Sequence, residues 1–123
     1  MPWSPSTWAI GEPAADPDNY EYLLVGTRRA LLIDSGATLD HDIRRAIAGL
    51  TKLPVTVIPS HLHHDHTNGL GHFRDIALID LPETRAGAQG NDVRLGRYQY
   101  ARPGTVDFTV TMWIKPGETI DLG

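Results

Sequence analysis

The chain has 123 residues, 41% of them apolar and 21% charged, with a formal net charge of −4 and no cysteine. That bounds it to one domain at most, with a modest core and the composition of an ordinary soluble globular protein. The missing cysteines remove disulfides, thiolate metal ligands and cysteine nucleophiles together, and an acidic balance without a basic run gives no reason to expect nucleic acid. No apolar run approaches bilayer length, and Met1-Pro2-Trp3-Ser4-Pro5 has neither the basic start nor the apolar stretch of an export signal. No membrane partner is expected, and the cytoplasm is the expected location.

Residues 1–19 are rich in Pro, Trp and Asp, and only Thr7-Trp8-Ala9-Ile10 is strand-like. Trp3 and Trp8 read as core or lip aromatics. Residues 20–25 and 30–33 are apolar runs separated by Gly26-Thr27-Arg28-Arg29, the pattern of a β-hairpin with a short loop. Asp34-Ser35-Gly36 ends the second strand, where an aspartate commonly caps backbone amides. The clearest helix spans residues 38–50. There Leu39, Ile43, Ala46, Ile47 and Leu50 share one face, Thr38 or Asp40 can cap the start, and Pro54 stops continuation. His41, in its first turn, is expected at the surface rather than as a ligand. Val55-Thr56-Val57-Ile58 follows, so the strand–helix–strand order predicts a parallel βαβ unit. Ligand sites in such sheets lie at the carboxyl ends of the strands.

At that end stands Ser60-His61-Leu62-His63-His64-Asp65-His66-Thr67-Asn68-Gly69, which holds four of the six histidines. Imidazole and carboxylate suit zinc, and also iron or manganese. On a chain arriving extended, residues two apart point the same way. His61 and His63 can then hold one metal together while Leu62 turns into apolar packing. Asp65 and His66 sit where Thr67-Asn68-Gly69 turns the chain, and would face a second metal. His64 is not counted as a ligand. No histidine pair frames a glutamate in the helical His-Glu-x-x-His manner. A solvated histidine loop or an affinity tag is the plain alternative, but a tag sits at a terminus and has no buried strand feeding it.

Beyond the cluster, residues 67–73 predict a short helix abutting the site, with His72 packed or at the surface. Residues 76–81 read as a buried strand ended by Pro82, and residues 83–88 as a helical turn. From Gly90 to Gly104 no clean period survives, which predicts an irregular surface connection. As a lid or substrate loop it would offer Arg97, Tyr98 and Tyr100 as contacts. Residues 106–114 read as a strand, and Pro116-Gly117 turns into Thr119-Ile120-Asp121-Leu122.

His61-x-His63-x-Asp65-His66 after an apolar strand resembles the signature of the metallo-β-lactamase superfamily. Other stretches agree in order: Tyr22-Leu23-Leu24-Val25-Gly26, Ala30-Leu31-Leu32-Ile33-Asp34-Ser35-Gly36 and Gly117-Glu118-Thr119-Ile120-Asp121-Leu122-Gly123. In that family these form a first hairpin, an aspartate–glycine strand end and a strand leading toward the next metal motif. The resemblance implies an α/β (α+β) fold, the N-terminal half of an αββα sandwich, with a mixed sheet and flanking helices. Residues 1–123 would be a single incomplete domain whose second half is absent. Asp34 would support the metal loop from behind. His61, His63, Asp65 and His66 would be metal ligands for Zn2+, two per complete site, with Fe or Mn as the other metals the donors suit.

The resemblance further implies a zinc-dependent hydrolase with a small-molecule substrate. Two metals about 3.5–4 Å apart would share a hydroxide that attacks an ester, thioester, lactone or amide carbonyl. Asp65 would ligate the second metal and orient the hydroxide or relay a proton. A thioesterase or lactonase type, such as the hydroxyacylglutathione hydrolase-like proteins, is expected over a β-lactamase, which is normally exported, or a nuclease, which would want a basic surface. A catalytic zinc usually takes three protein ligands plus a water, and the motif supplies two per metal. The family pattern adds a histidine in a Gly-His-Ser/Thr-like motif, a bridging aspartate and a late histidine, none of which can be placed in these residues. The alternative reading is therefore a truncated, non-catalytic metal-binding module. Half a sandwich alone would expose a sheet face and an open strand edge, so it is expected to be marginal, to form a homo-oligomer, or to need its other half.

Overall fold

A computed structural model describes residues 2–4, 6–12, 19–36, 43–67, 69–95 and 107–123; the side chains of residues 2–4, 12, 64 and 65 lie outside that set. Apolar alternation sets the first part of the sheet. Strands β1 (Pro2–Ser4), β2 (Thr7–Glu12), β3 (Asn19–Val25) and β4 (Ala30–Ile33) pair antiparallel in chain order. Leu23, Ala30 and Leu32 are fully buried, whereas Tyr22, Leu24, Leu31 and Ile33 between them are half-buried. One face of the sheet therefore enters the core, as a period of two requires. The expected loop 26–29 closes the β3–β4 hairpin, with Gly26 N donating to the Arg29 carbonyl at 3.0 Å.

The parallel part follows. Helix α1 is described over Ile43–Ala48, and β5 (Val55–Ile58) lies parallel to β4, so the expected βαβ unit is present. Ile43 and Ile47 are buried and Leu50 is half-buried, but Ala46 is exposed. The buried stripe is narrower than the spacing predicts because residue 46 falls at its rim. Thr38, Leu39, Asp40 and His41 lie outside the described residues. After one turn of helix, α2 (His64–Thr67), and a 3-10 turn at Leu70–His72, β6 (Asp75–Ile79) pairs parallel with β5. The strand ends at Ile79, two residues short of the expected 81, with Leu81 exposed, and Pro82 starts α3 (Pro82–Arg85), where a missing N–H costs nothing.

The region from 88 to 114 departs most from its sequence. β7 (Ala88–Gln89), β8 (Asp92–Val93) and β9 (Phe108–Thr109) form a small antiparallel sheet. Gly90, at φ +61, opens the two-residue turn between β7 and β8, a position that glycine fills without strain. The single strand expected over 106–114 is two. β9 stays in the small sheet, and β10 (Met112–Ile114) joins the main one, parallel to β6. The break falls at Thr111, whose N donates to the Ile76 carbonyl at 2.8 Å while its hydroxyl, in place of a main-chain carbonyl, accepts from Ile76 N at 2.9 Å and donates to the Ile76 carbonyl at 3.1 Å. The main sheet has the order β1-β2-β3-β4-β5-β6-β10.

The strand expected over 119–122 is absent. Instead the Leu122 carbonyl accepts from Arg28 N at 3.0 Å and Arg29 N at 3.3 Å, and the Asp121 carbonyl accepts from Arg29 Nε at 2.7 Å. Residues 121 and 122 thus dock on the tip of the β3–β4 hairpin through single carbonyls rather than a ladder. Among the described residues, no helix is long and apolar enough to cross a membrane.

Arg85 ties α3 to the sheet. Its guanidinium donates to both Asp80 oxygens, at 2.7 and 3.0 Å, and lies 3.5 Å from the Trp113 ring centroid. That hydrogen bonding holds the Asp80 carboxyl below its ordinary range. A carboxylate depressed in the folded state stabilises above the unfolded pKa and loses that contribution as pH falls through the folded value. Arg85→Leu is therefore expected to lower the urea midpoint at pH 7 by more than at about pH 3, below the usual aspartate pKa. Equal shifts at both pH values would assign the effect to the Trp113 contact alone.

Candidate metal centre

Strands β4 and β5 end side by side. Ile33 is in register with Ile58, and Asp34 N extends the ladder to the Ile58 carbonyl at 3.0 Å. Asp34 then turns into the left-handed region, φ 69, the one non-glycine residue to do so among the described residues. Aspartate tolerates this conformation better than most residues because its short side chain can bond locally. Its carboxylate crosses to the segment after β5. Oδ1 accepts from Ser60 N at 2.6 Å, and Oδ2 accepts from Ser60 Oγ at 3.0 Å and His66 Nδ1 at 2.9 Å. Asp34 is only 5% exposed. A carboxylate that far from water must be hydrogen-bonded, and here three donors serve it.

Ser35, fully buried, holds the backbone of the same histidine. Its N and Oγ both donate to the His66 carbonyl, at 3.0 and 3.1 Å, and Oγ accepts from Gly69 N at 3.1 Å. Asp34 therefore fixes the His66 ring while Ser35 fixes its main chain.

The alternation expected of the motif continues past the end of β5. Leu62 is buried in the core, and His61 and His63 are exposed on either side of it. The His61 ring centroid lies 4.7 Å from that of His63 and 4.1 Å from that of His66. The three rings therefore gather around His61. The chain does not wait until residue 67 to become helical: α2 begins at His64, inside the motif. His66 N donates to the His63 carbonyl at 3.0 Å, as does the buried Thr67 hydroxyl at 3.2 Å, and these bonds close the turn early. The backbone of Asp65 is in α2, and its side chain lies outside the described set, as does that of His64.

Of the other candidates, Trp8 packs against the core as a core aromatic. His72 is exposed, beside a cleft lined by Pro54, Val55 and Asp75 at the starts of β5 and β6, the far end of the strands from the cluster. His41, Arg97, Tyr98 and Tyr100 lie outside the described residues. Ser60 and Ser35 are the contributors that sequence reasoning left without a role, and Gly69, expected only to turn the chain, also donates to Ser35 Oγ. A hydroxyl next to a histidine and a glycine closing the motif were the available signals. A cleft of about 360 Å3 opens beside His61, lined by Pro59, Leu78, Ile79, Leu81 and Glu83 among others.

Among the described residues, no group of three His, Asp or Glu side chains is placed to hold a metal ion. The donor chemistry of the cluster nevertheless suits a divalent cation. A carboxylate on Nδ1 leaves Nε2 as the nitrogen His66 can offer, the arrangement by which proteins orient histidine ligands.

A histidine cluster anchored by a buried carboxylate, at the carboxyl ends of parallel strands, defines an α/β chain built around a motif of metal-ligand chemistry. Residues 20–80 match the family model of the metallo-beta-lactamase superfamily, and the chain belongs to that superfamily. Among solved structures it is similar to a metallo-beta-lactamase from Cronobacter sakazakii (Enterobacter sakazakii), a mutant of its HARLDQ motif, at 24% identity and a TM-score of 0.65. The match covers 100% of this chain and 50% of that one, so the chain spans about half the length of that protein. At that identity the likeness is one of fold, and it agrees with the mixed sheet and flanking helices expected from the sequence. No curated protein matches. Members of the superfamily usually bind metal ions.

Proposed function

We propose that the chain carries the first part of the active site of a zinc-dependent hydrolase that cleaves an ester, thioester or lactone of a small molecule. The observation that supports this best is the Asp34–His66 pair at 2.9 Å, set within a three-histidine cluster at the strand ends. His61 and His63 would hold one ion, and Asp65 with His66 the second. Bound there, zinc supplies Lewis acidity toward a carbonyl oxygen and lowers the pKa of a water toward about 7.

The chain's own groups have distinct tasks. Asp65 would orient the attacking water and take up its proton. Asp34 and Ser35 hold His66 so that its ring cannot swing when the substrate arrives. The cleft beside His61, with Leu78, Ile79 and Leu81 in its wall, gives the substrate's apolar part a seat.

A second reading, a metal-binding module without catalysis, is favoured by the lack of a three-ligand group among the described residues. Elemental analysis of the dialysed 123-residue protein separates the two. About two zinc ions per chain, the complement of a binuclear site, with hydrolysis of thioesters or lactones, is the expected result. In that event a second copy of the chain is the simplest source of further ligands, and light scattering would show a dimer. One loosely held ion or none, without hydrolysis, leaves only the module.

A further inference from the structure

Ser60 helps to satisfy the buried Asp34 carboxylate, and its hydroxyl also reaches a second group that the proposed chemistry uses. Its Oγ lies 3.0 Å from Asp34 Oδ2 and 3.0 Å from His61 Nδ1. A serine hydroxyl has one proton to give, and an ionised carboxylate has none. Were that proton directed to His61, the contact between Ser60 Oγ and Asp34 Oδ2 would set lone pair against lone pair. Directed to Asp34, it makes a charge-assisted bond, and the contact with His61 is then filled by a proton on Nδ1. Only this second assignment places a proton in both contacts. His66 is set the same way, since its Nδ1 faces the same carboxylate oxygen directly at 2.9 Å.

We infer that Ser60 is a positioning residue that extends the hold of Asp34 to His61, so that one buried carboxylate sets both imidazoles with the proton on Nδ1 and the lone pair on Nε2. The hold on His66 is direct, and the hold on His61 passes through the hydroxyl. Ser60 N also donates to Asp34 Oδ1 at 2.6 Å, which holds the main chain of the residue against the same carboxylate that its hydroxyl reaches. The consequence is that two nitrogens a metal would need are prepared before any metal arrives. This rests on the metal-site reading above for its purpose but not for its test.

The test is the long-range proton–nitrogen correlation spectrum of the imidazole rings in the metal-free 123-residue protein, at about pH 8, above the ordinary histidine pKa. Wild type is expected to show His61 and His66 both protonated on Nδ1. In Ser60→Ala, His61 should move toward the form protonated on Nε2 while His66 keeps its state, and Ser60→Thr should restore His61. Zinc titration of the same proteins should show an affinity loss of about tenfold in Ser60→Ala, as for other groups that orient ligands, and near-wild-type binding in Ser60→Thr. A wild-type His61 protonated on Nε2, or a His61 unmoved by Ser60→Ala, overturns the inference. Should Ser60→Ala fail to fold, the wild-type spectrum and that of Ser60→Thr decide, since both must show His61 protonated on Nδ1. If the tautomers are as expected and no variant binds zinc, the hydrolase reading fails and this one stands.

Discussion

Replacing Asp34 by alanine is expected to destabilise the chain by about 3–5 kcal/mol. Three donors converge on this carboxylate, and bonds to a charged partner contribute about 1.5–3 kcal/mol each, though not additively. Alanine also has to hold the left-handed φ of 69, which costs a residue with a Cβ about 1–2 kcal/mol. Against a total stability of about 5–15 kcal/mol, that leaves a marginal protein. Glycine at 34 removes the carboxylate but accepts the backbone, so Asp34→Gly should be about 1 kcal/mol less damaging than Asp34→Ala. Equal losses would mean that the conformation carries none of the cost.

Asparagine separates stability from chemistry. It tolerates the left-handed region and keeps an oxygen for Ser60 N, so Asp34→Asn should cost only about 1–2 kcal/mol. Its amide nitrogen then faces the Ser60 hydroxyl and His66 Nδ1. An amide NH2 donates and cannot accept, so His66 must turn its proton to Nε2 and loses the lone pair a cation would use. Zinc affinity should fall about 10- to 100-fold in a protein that is still folded. Titration of zinc into Asp34→Asn, alongside urea unfolding, checks both halves. Binding equal to wild type would remove Asp34 from any role at the metal centre.

These dependences show which parts of the molecule its sequence could disclose. The paired runs 20–25 and 30–33 and the extended approach to His61 were legible because each buries alternate side chains against one core, and burial writes a period into the residues. The strand 55–58, which buries the adjacent Thr56 and Val57, was legible as a short apolar and β-branched run instead. Leu62 between His61 and His63 is that same signal carried one step beyond the strand. Asp34 was legible in part, as a turn aspartate after a strand. Its partners were not, because Ser60 and His66 reach it across 26 and 32 residues of chain, and no local period encodes such a contact. The division of 106–114 into β9 and β10 was hidden for a related reason. Thr111 satisfies Ile76 through its side chain, so the strand break carries neither Gly nor Pro to announce it. Gly90-Asn91, by contrast, is a hairpin signal, but strands of two residues are too short to show alternation around it.

Gly69 gives the other large expected effect, and it is one of space rather than conformation. Its φ of −91 is open to any residue. A Cβ there, however, would stand 2.2 Å from the Ser35 carbonyl oxygen, 3.0 Å from Ser35 Cβ and 3.1 Å from Ile43 Cγ2. None of these can yield cheaply. Ser35 is held by the His66 carbonyl on one side and by the bond from Gly69 N on the other, and Ile43 is fully buried in the core. Gly69→Ala should therefore cost about 3 kcal/mol, the upper part of the range for overpacking, and should loosen the hold on His66 along with it. Gly26 makes the comparison that tests this reasoning. A Cβ at Gly26 meets Leu122 just as closely, 2.1 Å from its carbonyl oxygen. But Leu122 is held at the hairpin tip by a few bonds, including those from Arg28 N and Arg29 N and an Arg28–Asp121 pair whose side chains are 70% and 76% exposed, so it has less to lose by shifting than Ser35 does. Pairs so open to solvent contribute little, and Gly26→Ala should cost about 1 kcal/mol. Urea unfolding of the two variants reads the difference, and histidine ring spectra read its place: Gly69→Ala should shift His66, and Gly26→Ala should not. Equal destabilisation would show that Leu122 is held as firmly as the Ser35 clamp, and a neutral Gly69→Ala would show that the clamp has slack.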